Sequence, residues 1–354
     1  MLRASVLIPT HKHAATLPFA VKSVQSQGID EIEILIVGDG VDDRLRAIIE
    51  KLRADDSRIK FFDFPKGPRN GEMYRDAVLR QARGRIVCYQ CDDDLSLPGH
   101  LRDMEAALEN ADFAASMHVD VSPEGRIRGY VFDFERPEFR ELWFAWTPNR
   151  LGTWASDGFG LGFGAHRLDA YLRLREGWMT TPDGYPTDQT MWMKFVREPW
   201  CRTKVLPWPV SLHFPKPQRQ GWTDQQRADE LSGWMEVLAR PDAKQHVLQE
   251  ILRGFGDTLL EQSAAEREAG KMSRDALMIE RDILEAECRA LSIERDALTK
   301  ERDALMNERD ALGVARDTTQ IKHDKILSST SWRLTAPLRA AVDMVRRFKA
   351  RQDA

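Results

Sequence analysis

Short apolar runs alternate with segments of helical period through residues 4–90. Residues 4–9 (Ala-Ser-Val-Leu-Ile-Pro), 32–37 (Ile-Glu-Ile-Leu-Ile-Val), 59–64 and 86–90 have the length and content of buried strands. Between them, Ala15, Leu17, Ala20, Val21 and Val24 recur at helical spacing and stop near Gly28, and residues 42–53 and 72–83 also look helical. Strands alternating with helices predict parallel β-α-β units, hence an α/β sheet. Such sheets bind ligands beyond the carboxyl ends of their strands. Asp39 ends the second strand and Asp92, Asp93 and Asp94 follow the fourth, so these carboxylates are predicted to share one crevice.

The pattern changes after residue 143. Nine of the ten tryptophans (143, 146, 154, 178, 192, 200, 208, 222 and 234) fall between 143 and 234, among frequent Pro and Gly. This predicts a less regular half with aromatic walls, most of its tryptophans in the core and one or two lining a site. Glycines at 158, 160, 162 and 164 would leave one face of a strand bare. From Pro241 to Pro337 no proline occurs. Leu277, Leu284, Leu291, Leu298, Leu305 and Leu312 repeat there every seven residues, five of them closing Ser-Arg-Asp-Ala-Leu at 273, Glu-Arg-Asp-Ile-Leu at 280 and Glu-Arg-Asp-Ala-Leu at 294, 301 and 308. That period predicts a coiled coil and self-association through residues 273–325. The competing reading is a lone charged helix, because Arg or Cys stands three residues before each leucine. A last helix, introduced by Thr335 and Pro337, places Leu338, Ala341, Val342, Val345 and Phe348 on one face, with Arg339, Arg346 and Arg347 largely off it. A basic amphipathic helix of this kind either lies on an anionic membrane or packs on protein.

Charge sharpens this division. The chain carries −4 overall. Residues 329–354 hold six basic and two acidic residues, a balance of +4, which leaves −8 for residues 1–328. An acidic main body argues against nucleic acid as a partner. The apolar stretch after Met1 is short for a signal peptide, and no run reaches the ~18 apolar residues of a membrane span. Four cysteines are too few for a disulfide scaffold. Cys88 and Cys91, three apart on a strand, point to opposite faces. The expectation is a cytoplasmic protein, with peripheral contact at the inner face of the membrane through residues 329–354.

The aspartate triplet carries the most specific chemistry. Three adjacent carboxylates repel one another and resist desolvation unless a cation compensates them. Hard divalent cations, Mg²⁺ or Mn²⁺, favour carboxylate and phosphate oxygens together, so the triplet predicts a metal bridging to a diphosphate. The plainer reading is a solvated acidic turn.

Ser5-Val-Leu-Ile-Pro-Thr10, Ser23-Val-Gln-Ser-Gln27, Glu33-Ile-Leu-Ile-Val-Gly-Asp-Gly40 and Asp92-Asp-Asp94 with Pro98 together resemble the family 2 glycosyltransferases, over roughly residues 4–215. The resemblance implies a GT-A fold, a Rossmann-like mixed sheet flanked by helices. It also implies a nucleotide-diphosphate-sugar donor, a divalent metal and inversion at the sugar carbon. Carried over by position, Pro9, Thr10 and Asp39 hold the nucleotide base, and Arg75 reaches base or phosphate. Asp92 meets the ribose, Asp93 binds the metal and Asp94 shares it. Pro186-Thr-Asp188-Gln resembles the family's acidic motif opening a helix, which makes Asp188 the general base. Asp188 also suits a plain helix N-cap. His213 stands where some GT-A enzymes place a late histidine on metal or phosphate. His11 and His13 depart from the family's usual aromatic and Asn.

The chain is therefore expected to hold a transferase domain (1–240), a helical linker with heptad coiled coil (241–325) and a basic tail (326–354). The acceptor class is a glycan, a lipid-linked sugar or a surface polysaccharide. The other reading is a non-catalytic sugar-nucleotide-binding scaffold that works through its coiled coil. A nicotinamide oxidoreductase lacks its glycine fingerprint after the first strand.

Overall fold

The computed structural model describes residues 2–130, 133–144 and 159–350, with side chains of 142–144 and 345–350 excepted. Trp146, Trp154, Asp157 and Gly158 lie outside the described residues, as do the side chains of Trp143, Val345, Arg346, Arg347 and Phe348. The chain divides into two compact units, Met1–Gln262 and Ser263–Ala354.

The first unit is built on β1 (Leu2–Thr10), α1 (Leu17–Gln25), β2 (Ile32–Asp39), α2 (Asp43–Asp55), β3 (Ile59–Phe64), α3 (Tyr74–Leu79) and β4 (Gly84–Tyr89). Strands β1 and β2 are buried nearly end to end, as parallel strands covered on both faces must be. Next come β5 (Leu95–Ser96), α4 (His100–Ala107), β6 (Phe113–Ser116), β7 (His118–Val121), β8 (Ile127–Tyr130), α5 (Pro137–Phe144) and β9 (Gly164–Arg167). The unit continues through α6 (Leu168–Arg173), α7 (Thr187–Val196), β10 (Thr203–Leu206), β11 (Ser211–Leu212), α8 (Asp224–Leu238) and the start of α9 (Ala243–Ser328).

Seven strands form one sheet in the order β10-β6-β9-β4-β1-β2-β3. The β1–β2, β1–β4, β2–β3 and β6–β10 pairs are parallel, and β9 runs antiparallel between β4 and β6. This is the α/β mixed sheet expected from the sequence. A second pairing, β5 with β11, closes just after the aspartate triplet, and the β7–β8 hairpin stands beside it.

Each face of the sheet has its own core. Val6, Ile8, Leu17, Val21, Ile34, Ile36, Leu45 and Ile49 pack on one side; Leu7, Leu35, Tyr89, Phe113, Phe163, Trp192 and Phe195 pack on the other. Burying each such side chain stabilises the fold by about 1.5–3 kcal/mol. The alternate glycines divide their work. A Cβ on Gly164 would come within 2.8 Å of Trp192, so the bare strand face there receives a tryptophan rather than a ligand. Residues 161–163 form a 3-10 turn, not an extended strand. Ala243, Val247 and Ile251 bury the first turns of α9. At Gly254 a Cβ would lie 2.4 Å from the carbonyl oxygen of Ile127, so the close approach of α9 to β8 requires glycine.

In the second unit, α9 continues to Ser328, followed by α10 (Thr330–Leu334) and α11 (Ala336–Ala350). The six heptad leucines are 54–64% exposed. Arg281, Arg295, Arg302, Arg309 and Arg316 each pair with the next aspartate along the same helix. No helix among the described residues is long and apolar enough to cross a membrane.

Candidate active site

The carboxyl ends of β1 and β4, the β7 strand, the start of α7 and the segment after β11 converge on one cavity of about 630 Å³. Its walls include Pro9, Arg75, Asp92, Asp93, His118, Asp120, Gly160, Leu161, Asp188, His213 and Lys216. Two groups that sit far apart in sequence, Asp92 with Asp93 and Asp188, thus share one space, while Asp94 does not line it. No tryptophan lines this cavity among the described residues. Trp178 instead stacks behind Arg75, 4.4 Å from guanidinium to ring, and Trp192 is wholly buried.

The three aspartates have different surroundings. Asp92 accepts a 2.7 Å hydrogen bond at Oδ1 from His13 Nδ1, while its Oδ2 is buried without a partner. That hydrogen bond lifts His13 to about 9 despite its burial. Asp93 Oδ2 lies 3.2 Å from Arg227 Nη2 and 4.0 Å from His13 Nδ1. Asp94 is fully buried and accepts from the backbone N–H of Phe214 at 3.0 Å; burial holds it up at about 6, against the pull of His213.

Asp120 joins two imidazoles. His118 Nε2 and His213 Nδ1 donate to its Oδ1 at 2.9 and 2.7 Å. Burial pushes Asp120 up, yet these two donors outweigh it and hold the carboxyl well below the usual range. Burial opposes protonation of His213, but Asp94 and Asp120 together lift it to about 9. His118 stays low through burial, and its Nδ1 accepts from Gly160 N.

Asp188 lies in the first turn of α7, and Pro186 takes the N-cap place. The plain N-cap reading is therefore set aside. The carboxylate sits at the positive end of the helix dipole. Its Oδ1 is 3.6 Å from Arg75 Nη1. Burial raises its pKa, while Arg75 and the N–H of Leu161 draw it back down. Arg75 is only 4% exposed, and its Nε and Nη1 have no hydrogen-bond partner. A buried guanidinium that lines a cavity and keeps donors free of hydrogen bonds, beside its ion pair with Asp188, suits an anion.

Asp39 is engaged by the protein itself. Lys66 Nζ and Gly67 N each reach its carboxylate at 2.6 Å, and it does not line the cavity. Gly71 makes this closure sterically feasible, with φ +60° and a virtual Cβ 2.3 Å from Asp39 Cγ. The same loop crosses to the other half, where Arg69 donates to the Pro182 and Tyr185 carbonyls and Asn70 to Thr187 Oγ1. Thr10 is buried with an unpartnered hydroxyl, next to Pro9 in the cavity wall.

Two clusters, His13–Asp92–Asp93 and His118–Asp120–His213, bring ligand atoms within 4.8 Å of one another. The orphaned Asp92 oxygen and the oxygen-rich donor set fit a hard divalent cation. Sequence reasoning missed His118, Asp120, Arg227 and Lys216. His118 and Asp120 did leave a signal, alternate residues on a strand that share a face. Arg227 left none, because it arrives from α8.

Residues 5–159 match the model of glycosyl transferase family 2. A β-1,3-glucosyltransferase of Campylobacter jejuni that acts on GalNAc(5)-diNAcBac-PP-undecaprenol is 36% identical over 104 residues, 28% of this chain and 33% of that protein. The chain spans about a third of the length of the curated relatives it matches. Among solved structures, residues 1–349 of S. aureus TarS align with TM-score 0.46 and 19% identity, over 72% of this chain and 71% of that one. The mannosyltransferase PcManGT of Pyrobaculum calidifontis, in complex with GDP-Man and Mn²⁺, aligns at 0.41 and 16%, over 74% and 79%. Over residues 5–159, less than half of the chain, the sequence is similar to the family 2 glycosyltransferases.

Proposed function

We propose that the protein transfers a sugar from a nucleotide-diphosphate donor to a hydroxyl of a glycan or lipid-linked acceptor, with inversion. The observation that carries this reading is the single cavity that Asp92 and Asp93 share with Asp188 and its ion-pair partner Arg75. Pro9, Thr10 and Asp39 hold the base end of the donor, and Asp92 the ribose. Asp39 acts through the 66–71 loop it anchors, or directly once Lys66 is displaced. Asp93, with the free Oδ2 of Asp92, would hold a divalent cation, Mn²⁺ or Mg²⁺, which when bound would offset charge gathering on the diphosphate, while Asp94 and His213, the other ligands expected there, back the site from their bonds to Phe214 N and Asp120. Arg75 adds a fixed positive charge beside the leaving group. Asp188 accepts the proton of the attacking hydroxyl. The C. jejuni relative's lipid-linked substrate supports that acceptor class. In a panel of sugar nucleotides, nucleoside diphosphate release from one donor, dependent on Mn²⁺ or Mg²⁺ and stopped by EDTA, is expected. Binding without any release in the presence of acceptor lipids and glycans would favour the scaffold reading.

Arg75 also sets the working range of the base. It opposes the burial that raises Asp188. A base works only above its pKa, so Arg75→Met is expected to move the acid limb of the pH–rate profile to higher pH. An unmoved limb in a still-active variant would remove Arg75 from this role.

Residues 1–240 supply the chemistry in this reading, 241–325 self-association and 326–354 attachment. The unpartnered leucine stripe of α9 supports a second copy as its cover. Leu291→Asp with Leu298→Asp is expected to reduce the full chain to monomer in sedimentation; a wild-type monomer would contradict this. For the tail, exposed Leu338, Val342 and Met344 on a basic helix support a peripheral membrane contact. Deleting 329–354 is expected to abolish flotation with anionic liposomes, and undiminished flotation would exclude the tail.

A further inference from the structure

The active-site cavity is the first of three that adjoin. A second cavity of about 630 Å³ shares Asp120 and Tyr130 with it, and a third of about 430 Å³ shares Pro123 with the second. All three lie in the first unit. The path runs along the β7–β8 hairpin to the exposed face of α8.

Residues of both charge signs line the middle cavity, among them Arg126, Arg128, Asp257 and Glu261, all able to bond hydroxyls. The third has a different character. Trp222 and Trp234 flank it, and Gln226, Asp229, Glu230 and Gly233 present one face of α8 to it. The rings are braced from beneath. Phe214 meets Trp234 edge-on at 6.2 Å, and the buried Arg219 guanidinium lies 5.6 Å from the Trp222 ring while pairing with Glu230. Gly233 stands inside α8, where glycine costs stability relative to alanine. No atom lies within 4 Å of the place its Cβ would take, so packing does not demand glycine there. Its effect is to leave the groove floor open.

We propose that these cavities form one groove for an oligosaccharide acceptor, with a distal sugar seated on Trp222 and Trp234. Indole faces suit the apolar faces of sugar rings, and the neighbouring carboxylate and amide suit their hydroxyls. Asp229 and Glu230 disfavour a phosphate in the distal cavity, which separates it from the donor site. The proposal rests on the transferase reading and deepens it, by giving the acceptor several sugar residues.

The test uses the full chain on an array of microbial glycans graded from monosaccharides to hexasaccharides. Wild type is expected to bind glycans of three or more residues. Gly233→Leu fills the open floor and improves helix propensity, so it is expected to fold and to lose at least tenfold in binding. Trp222→Ala with Trp234→Ala is expected to do the same. Nucleotide binding, followed in parallel by calorimetry, is expected to be unchanged in both variants. Binding of no glycan by wild type, or glycan binding untouched by Gly233→Leu, overturns the groove. Intact nucleotide binding beside such a result leaves the donor site standing; absent nucleotide binding in wild type sinks the transferase reading instead.

Discussion

Asp188→Asn is expected to lower the transfer rate about 10²–10⁴-fold, the contribution of a positioned general base, with nucleotide affinity nearly unchanged. The two side chains are almost the same size, so the first turn of α7 and its contact with the segment around Leu161 persist. What disappears is a proton acceptor. Burial pushes its pKa up, which strengthens it as a base, and Arg75 at 3.6 Å together with the Leu161 N–H opposes that rise. Rapid single-turnover transfer by the variant would remove Asp188 from the mechanism. Failure to bind nucleotide would assign it to donor binding instead.

Asp93→Asn is expected to act at the opposite step. Asp93 balances Arg227 at 3.2 Å and lies near His13. Removing its charge takes the carboxylate from Arg227, while His13 keeps Asp92, and the cation site loses a carboxylate. Losing even a hydrogen-bond partner of a metal ligand costs about 10–100-fold in metal affinity, so a larger loss is expected here. Nucleotide diphosphate affinity measured with Mn²⁺ is expected to fall to the value measured in EDTA. Asp94→Asn differs, because Asp94 accepts from Phe214 N inside the fold and its replacement puts an amide against that donor. An Asp93→Asn protein that keeps wild-type, metal-dependent affinity would move the cation elsewhere, with His118–Asp120–His213 the next cluster to examine.

Much of this was legible in the chain because it is local. Apolar-rich runs mark the strands β1 to β4, and Ile59–Phe64 matches its expected bounds to the residue. The position of Asp92–Asp94 after β4 follows from the same patterning, and that of Asp188 at the head of α7 from the resemblance of Pro186-Thr-Asp188-Gln to a family motif. Long-range placement was not legible. Nothing near Arg75 in the sequence announces that packing against Trp178 buries it. Asp39 reads as a free ligand, but Lys66 and Gly67 occupy it through a turn that needs Gly71. The glycines before β9 predict a bare strand face, whereas Gly164 makes room for Trp192. In each case the partner lies about 25 residues or more away along the chain, and single-sequence periodicity carries no information on such pairs.

The most direct measurement is a calorimetric titration of UDP, GDP, CDP and dTDP into the full chain, with Mn²⁺ and with EDTA. Tight, metal-dependent binding of one of the four is expected, and its retention in Asp188→Asn with its loss in Asp93→Asn would place the cation and the base in separate roles. No binding of any nucleotide in either condition would contradict the donor site and leave the heptad helix as the working part of the protein.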